Sequence, residues 1–197
     1  MKTRIFIDFW NFQLSLRENT AEGYKLDWTK LSPSLVEAAS NLIGQPLTFE
    51  ETFVYLSHNP KNKADRSLLN WATNVLDRFP GVHVKIFERK PKFAPVCQNC
   101  HQPINACPHC GGTLTGTIEK GVDTAIVTDL LSLAWEGAWQ LAIIISSDRD
   151  FIPAIQMLAV KGFRVINASI PPLGTELARS CWAYIDIRSL LPGLERQ

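Results

Sequence analysis

Short apolar runs alternate along the chain with longer stretches whose apolar residues recur every three or four positions. The short runs predict β-strands at 4–8, 52–56, 82–90, 141–146, 163–169 and 183–187. The helical spacing predicts α-helices at 28–43, 64–79, 121–139, 150–161 and 174–181. Strands that alternate with helices in this way predict an α/β fold, in which helices cover both faces of a mainly parallel sheet.

One run, 141–145, is apolar at every position, which is typical of a strand buried on both faces. We expect the strands to lie in the spatial order 82–90, 52–56, 4–8, 141–146 and 164–168. The first and fourth strands of the chain are then neighbours. Ligands of open α/β sheets bind beyond the carboxyl ends of the strands, where the strand order reverses. We therefore expect the functional site at that edge.

The composition suits one domain over residues 1–197, because 46% of the residues are apolar and can form a core. The net charge of +1 excludes a strongly basic, histone-like nucleic-acid binder but leaves room for a local basic groove. No apolar run approaches the roughly 20 residues of a membrane helix, and the opening MKTRIFIDFW is too short for a secretory signal. We expect a soluble, cytoplasmic protein that does not associate with membranes.

Four of the five cysteines form two CxxC pairs in the stretch CQNCHQPINACPHCGG. In a reducing compartment, paired CxxC turns predict a tetrahedral zinc site, here one Zn²⁺ held by Cys97, Cys100, Cys107 and Cys110. The surrounding prolines place these residues in a loop at 91–119, inserted between a strand and a helix. A thioredoxin-like redox role needs only one CxxC at a helix start, so zinc binding is favoured.

Acidic residues occur where the predicted strands end or the next helix begins: Asp8, Asp123, Asp148 and Asp150. Crowded carboxylates repel one another unless a cation lies among them, and an oxygen-only ligand set suits Mg²⁺ or Mn²⁺. The alternative is structural, because Ser147 or Asp148 could cap a helix and Asp123 could be an ordinary first-turn acid. Asp129 points in a different helical direction from Asp123, so we assign it a supporting role.

Three motifs resemble the NYN domain family, in particular its LabA-like bacterial branch, which is related to PIN-domain nucleases. They are IDFWNF, KGVDTAIVTDLL and SSDRDF, and the resemblance covers about 4–169. It implies a PIN-like three-layer α/β/α sandwich and a metal-dependent ribonuclease. The implied catalytic and metal-binding acids are Asp8, Asp123, Asp148 and Asp150, with Asn11, Lys120, Asp129 and Ser147 in support.

The sequence departs from the family pattern in two places. Phe9 and Trp10 are bulkier than the small residues common between the aspartate and the asparagine of the first motif. The cysteine-rich loop is an addition to the minimal domain.

Our main hypothesis is a metal-dependent endoribonuclease with RNA as its partner. The basic residues that could contact RNA are Lys61, Lys63, Arg66, Arg89, Lys90 and Lys92. The alternative is a catalytically weak module of the same fold that binds nucleic acid or a protein through the zinc loop, and a homodimer is left open. A phosphatase of the haloacid dehalogenase type is disfavoured, because Trp10 occupies the position of its second aspartate.

Overall fold

The sheet and helices follow from a computed structural model, which describes residues 1–196. The strands are β1 (Lys2–Asp8), β2 (Thr48–His58), β3 (Val82–Glu88), β4 (Lys90–Lys92), β5 (Gly116–Ile118), β6 (Leu141–Ile145), β7 (Arg164–Ser169) and β8 (Ala183–Asp186). The α-helices are α1 (Phe9–Asn19), α2 (Trp28–Ile43), α3 (Lys63–Asn74), α4 (Val122–Trp135), α5 (Ile152–Val160), α6 (Thr175–Ser180) and α7 (Leu191–Leu194). Short 3₁₀ turns cover Leu76–Arg78, Arg149–Phe151 and Ile187–Ser189.

Six parallel strands form the central sheet in the order β3-β2-β1-β6-β7-β8. This order confirms the α/β fold and the predicted strand order, and β8 extends the sheet at one edge. β1 and β6 pair directly, with Ile7 opposite Ile145, so their carboxyl ends lie side by side. Within residues 1–196, every helix is too short or too polar to cross a lipid bilayer.

Two apolar cores cover the two faces of the sheet. Ile5 and Ile7 of β1 face the first core, together with apolar residues of α1, α2 and α3. Phe6 of β1 faces the second core, where α4 and α5 pack. The side chains of β6 alternate between these cores and are all buried, as predicted for a central strand.

The helix α1 is absent from the sequence prediction. It begins directly after β1 because Asp8 caps it and accepts a hydrogen bond from the Asn11 N–H. Phe9, Phe12 and Leu16 lie on its buried side.

Several predicted boundaries are also wrong. The helix predicted at 64–79 ends at Asn74, and the helix predicted at 121–139 ends at Trp135. The strand predicted at 82–90 ends at Glu88, and the first turn of the helix predicted at 150–161 is 3₁₀. Helix α4 ends close to Gly137, whose φ of 68° lies in the left-handed region that favours glycine.

The cysteine-rich stretch leaves the domain through an antiparallel ribbon. β4 pairs with β5, with Lys90 opposite Ile118 and Lys92 opposite Gly116. Beyond this ribbon the chain forms two turns, each closed by a single bridge: Val96 pairs with Pro103, and Ala106 pairs with Thr113. The ribbon and its two turns span 90–118, and they return the chain to the start of α4.

Candidate active site

Four buried polar side chains lie in a row across the carboxyl ends of neighbouring strands. They are Ser57 of β2, Asp8 of β1, Ser146 after β6 and Asn167 of β7. Each belongs to the side of the sheet that α4 and α5 cover, because side chains alternate along a strand and these follow Tyr55, Phe6, Ile144 and Val165 by two positions. The fold therefore places the polar row at the edge where the sequence predicts the site.

Asp8 is the most deeply buried acid of this edge. One carboxylate oxygen accepts from the Asn11 N–H at 3.3 Å, and the other accepts from the Ser146 hydroxyl at 3.2 Å. The pKa of Asp8 is raised to about 7, chiefly by burial and also by the negative charges of Glu119 and Asp123, against the lowering effect of the two hydrogen bonds. The carboxyl group of Asp8 is thus close to other acids that belong to different elements.

The turn after β6 is tied to α1 by Asn11. Its side-chain oxygen accepts from the backbone N–H and from the hydroxyl of Ser147, both at 2.8 Å. The Ser146 hydroxyl, which donates to Asp8, also accepts from the Asp148 N–H at 3.1 Å. Asp148 in turn caps the following 3₁₀ turn by accepting from the Asp150 N–H at 2.9 Å. The capping role predicted for Asp148 is therefore confirmed. The capping carboxylate stays close enough to Asp123 for its charge to act on it.

Asp123 approaches the same edge from the first turn of α4. This helix starts after Gly121, which has a φ of 87° and offers no capping side chain. Desolvation raises the pKa of Asp123, and so do the negative charges of Asp148, Glu119 and Asp150. Asp123 and the Asp148–Asp150 turn thus share one electrostatic environment.

Glu119 is a fifth acid that the sequence analysis missed. It accepts a hydrogen bond from the buried Ser57 hydroxyl, and its charge acts on both Asp8 and Asp123. Ser57 also accepts from Nε of Arg89 at 3.0 Å, and the Arg89 guanidinium lies 5.0 Å from the ring centre of Trp10. Arg89, predicted as an RNA contact, therefore lies beside the acids.

Ser146 is the second site residue that the sequence does not predict, since the motif points only to its neighbour Ser147. Its carbonyl accepts from the buried Asn167 side chain at 2.8 Å, and Asn167 accepts from Ser169 at 2.9 Å. Gly174 packs against this layer, because a Cβ there would lie 2.7 Å from Ser169 Oγ and 3.1 Å from Ser147 Cα. Its φ of 76° is also one that side chains disfavour, so the turn after β6 is supported by a position that only glycine fills.

Asp129 lies apart from these acids, in a bond network of its own. Its Oδ2 accepts from the buried Tyr55 hydroxyl at 2.6 Å and from Lys85 Nζ at 2.5 Å. Burial and the neighbouring Asp129 raise the pKa of Tyr55, so the hydroxyl remains a donor. The network attaches α4 to β2 and β3. Lys120 is exposed and, within residues 1–196, enters no side-chain hydrogen bond or ion pair.

The acids at this edge of the sheet lie near one another but do not form a complete set of metal ligands in the described residues. Across residues 1–196, no three His, Cys, Asp or Glu side chains lie close enough together to hold a metal ion. The composition of the acidic set nevertheless fits a hard cation, since it offers carboxylate oxygens. Burial and, to a lesser extent, the repulsion between these acids raise the pKa of Asp8 and Asp123.

Each cysteine pair closes a tight turn of its own. The Cys97 carbonyl accepts from His101 N–H at 2.9 Å, and the Cys107 carbonyl accepts from Gly111 N–H at 2.8 Å. Hydrogen bonds from the backbone N–H groups of Cys100 and Asn99 lower the pKa of Cys97. The same arrangement at Cys110 and His109 lowers the pKa of Cys107. These donors favour thiolates, but the two pairs do not meet in the described residues.

Three of the six predicted RNA-contacting residues line one groove of about 460 Å³. Lys61 comes from the loop after β2, Arg89 from the link between β3 and β4, and Lys92 from the ribbon. Lys63 and Arg66 are exposed on α3, and Lys90 is exposed on β4. The basic residues are therefore divided between the groove and the open surface around it.

The six-stranded parallel sheet with helices on both faces is consistent with a PIN-like fold, and the family model of the NYN domain matches residues 2–188. The chain belongs to the NYN domain family, as the three motifs predict. A solved structure from Vibrio parahaemolyticus, of a protein of unknown function, is 16% identical and covers 94% of this chain and 92% of its own, with a TM-score of 0.58.

At that level of identity, the likeness shows the fold alone. A nicotinamidase from Staphylococcus aureus is 14% identical over 97% of this chain and 96% of its own, with a TM-score of 0.34. No protein of curated function matches the sequence.

Proposed function

We propose that the protein is a metal-dependent endoribonuclease that hydrolyses phosphodiester bonds of RNA. The observation that carries this proposal is the convergence of carboxylates from separate elements on one edge of the sheet. Asp8 ends β1, Asp148 and Asp150 follow β6, and Asp123 begins α4. Membership of a family with a nuclease-like fold supports the same conclusion.

The residues that would hold Mg²⁺ or Mn²⁺ are Asp8, Asp123, Asp148 and Asp150, with Glu119 beside them. A bound divalent ion would supply an activated water and stabilise the charge that develops on the phosphate. Asn11 and Ser146 orient the acids through the hydrogen bonds described above. Arg89 lies next to Glu119 through Ser57 and could bind a phosphate of the substrate.

The experiment is incubation of the purified protein with labelled RNAs in Mn²⁺, Mg²⁺ or EDTA. We expect cleavage only with a divalent ion, and loss of cleavage in Asp148→Asn, because an amide is a poorer ligand than a carboxylate. The matched control is Asp27→Asn, since Asp27 caps α2 through Thr29 N–H at 3.0 Å without contacting the acids. Cleavage in EDTA, or wild-type cleavage by Asp148→Asn, would contradict the assignment.

A binding module without strong catalysis is the second candidate. It is favoured by the absence, in residues 1–196, of three potential ligands close enough to hold a metal ion. Such a module would bind RNA in EDTA as tightly as in Mn²⁺ and cleave it in neither.

We further propose that the four cysteines of the loop bind one Zn²⁺. Two pairs of neighbouring thiols, with backbone donors that favour thiolates at Cys97 and Cys107, fit the chemistry of a structural zinc ion. One ion bound by all four sulfurs requires the two turns to approach each other. A reducing, cytoplasmic location would keep these cysteines free to bind metal, and all five cysteines are unpaired thiols in residues 1–196.

A further inference from the structure

One groove beside the acids combines positive charge with an exposed aromatic ring. It is bounded by the loop after β2 and by the ribbon of β4 and β5, and it encloses about 460 Å³. Phe93, the residue directly after β4, is 84% exposed although it is a large apolar residue. Among the lining residues, the charged ones are Lys61, Arg89 and Lys92 against Glu88. We call this feature the ribbon groove.

We propose that the ribbon groove binds the single-stranded part of an RNA substrate, with one unpaired base stacked on Phe93. The inference rests on the proposed nuclease activity and extends it by naming the form of RNA that is recognised. Sites for single strands combine cations that follow the backbone with aromatic rings on which bases stack. The ribbon groove has both, and its volume lies in the range of roughly 300–1,000 Å³ that small-molecule sites occupy.

The position of Arg89 connects the groove to the acids. Arg89 lines the groove and donates to Ser57, whose hydroxyl donates to Glu119. Glu119 in turn acts electrostatically on Asp8 and Asp123. A strand that lies in the groove with a phosphate on Arg89 is therefore separated from Glu119 only by the Ser57 hydroxyl.

The exposed ring explains why a single strand is expected rather than a duplex. A paired base presents only its edge in a groove of the double helix, whereas an unpaired base presents its face to an aromatic ring. Phe93 carries no hydrogen-bonding group, so it would not select among bases. The groove should therefore bind single strands with little sequence preference.

The test measures equilibrium binding by fluorescence anisotropy in the cleavage-deficient Asp148→Asn background. The probes are a labelled single-stranded RNA, the same RNA in a duplex, and a poly-glutamate peptide as competitor. We expect Phe93→Ala to weaken single-strand binding by about fivefold or more and to leave duplex binding unchanged. Phe93→Tyr should retain binding, since it keeps the ring. The matched control is Val160→Ala, because Val160 is 86% exposed on α5, outside the groove.

The charged residues give a second readout. Lys61→Ala with Lys92→Ala should reduce the dependence of log Kd on log salt concentration by about 0.7 for each lost phosphate contact. If the salt dependence of Kd is unchanged in this double variant, the two lysines do not contact the RNA.

The outcomes separate the two proposals. If the wild type cleaves RNA but Phe93→Ala changes neither Kd nor KM, the groove is wrong and the nuclease stands. If the wild type cleaves nothing but Phe93→Ala still weakens single-strand binding selectively, the nuclease is wrong and the groove stands. The stacking site would be overturned if Phe93→Ala weakened the binding of single-stranded and duplex RNA equally. It would also be overturned if poly-glutamate displaced the single-stranded RNA as well as unlabelled RNA does.

Discussion

The side-chain oxygen of Asn11 accepts two hydrogen bonds from Ser147, one from its backbone N–H and one from its hydroxyl, each at 2.8 Å. This contact joins the first turn of α1 to the turn after β6. Asp8 caps α1, and Asp148 follows Ser147 directly. Asn11 therefore fixes the positions of two acids relative to each other.

Replacement of Asn11 by alanine tests this positioning role. Asn11→Ala removes both hydrogen bonds and leaves a partly buried N–H without its partner, which should cost about 1–3 kcal/mol of unfolding free energy. Because residues that orient metal ligands typically contribute about 10–100-fold to activity or metal affinity, we expect kcat/KM and the apparent Mn²⁺ affinity to fall by that amount. Urea unfolding and steady-state kinetics measure the two effects.

The matched control for Asn11 lies in the same helix. Within residues 1–196, the Asn19 side chain donates to the Ser15 carbonyl alone, at 2.9 Å, so Asn19→Ala should leave Mn²⁺ affinity unchanged. Equal Mn²⁺ affinity in the two variants would refute the positioning role.

The stability of the metal-free protein should depend on pH through Asp8. Its carboxyl group keeps a proton up to about pH 7 when folded, against an ordinary pKa of 3.8. Between these values the folded chain binds more protons than the unfolded chain, so stability falls as the pH rises from about 4 to about 7. Asp8→Asn cannot ionise and should escape this loss. We expect it to exceed the wild type by up to about 4 kcal/mol above pH 7, and by little at pH 4.

Urea unfolding in EDTA from pH 4 to pH 8 measures this difference. Asp150→Asn is the comparison, because Asp150 is exposed and its substitution should be neutral or slightly stabilising. A loss of stability in Asp8→Asn at every pH would instead identify the carboxylate as a structural partner of Ser146 and of the α1 terminus.

Asp129 should contribute to stability rather than to chemistry. Asp129→Ala leaves the buried Tyr55 hydroxyl and the Lys85 ammonium without their acceptor, which should cost about 1–3 kcal/mol. Tyr55→Phe removes only the donor and should cost about 1 kcal/mol. The rate at saturating RNA should be unchanged in both folded variants. If Asp129→Ala remains folded but is as inactive as Asp148→Asn, Asp129 belongs with the catalytic acids.

The cysteine loop should carry about one zinc ion per chain, which elemental analysis measures. Cys107→Ser combined with Cys110→Ser should release it. Since the loop begins and ends beside the ribbon groove, this variant should weaken RNA binding more than it slows turnover of saturating RNA. Absence of zinc would refute the site. Zinc with unchanged RNA binding would mean that the ion only holds the loop together.

The alternation of strands with helices, and the position of four acids at strand ends or a helix start, could be predicted from the sequence because both depend on local patterns. A wholly apolar run such as 141–145 predicts a central strand, and the residues that follow it must lie at the edge of the sheet. Helix α1 is not predicted because the apolar Phe9 and Trp10 follow the apolar residues of β1 so closely. The change from the two-residue period of a strand to the 3.6-residue period of a helix is therefore hidden.

Glu119 and Ser146 could not be predicted in the same way, because their roles depend on contacts distant in sequence. Glu119 meets Ser57 only because the ribbon brings the chain back from the insertion, 62 residues further on. Ser146 reaches Asp8 across 138 residues through the pairing of β1 with β6. No local pattern distinguishes Glu119 from its neighbour Lys120, or Ser146 from its neighbour Ser147.

The ribbon also brings the two ends of the cysteine-rich stretch together. Because Lys90 lies opposite Ile118, this stretch leaves and rejoins the domain at one point. We therefore expect the six-stranded sheet to tolerate changes in the length of this stretch, because the points where it leaves and rejoins the domain stay together. Such changes would alter the ribbon groove, to which this stretch contributes Lys92 and Phe93, while the four acids keep their places at the edge of the sheet.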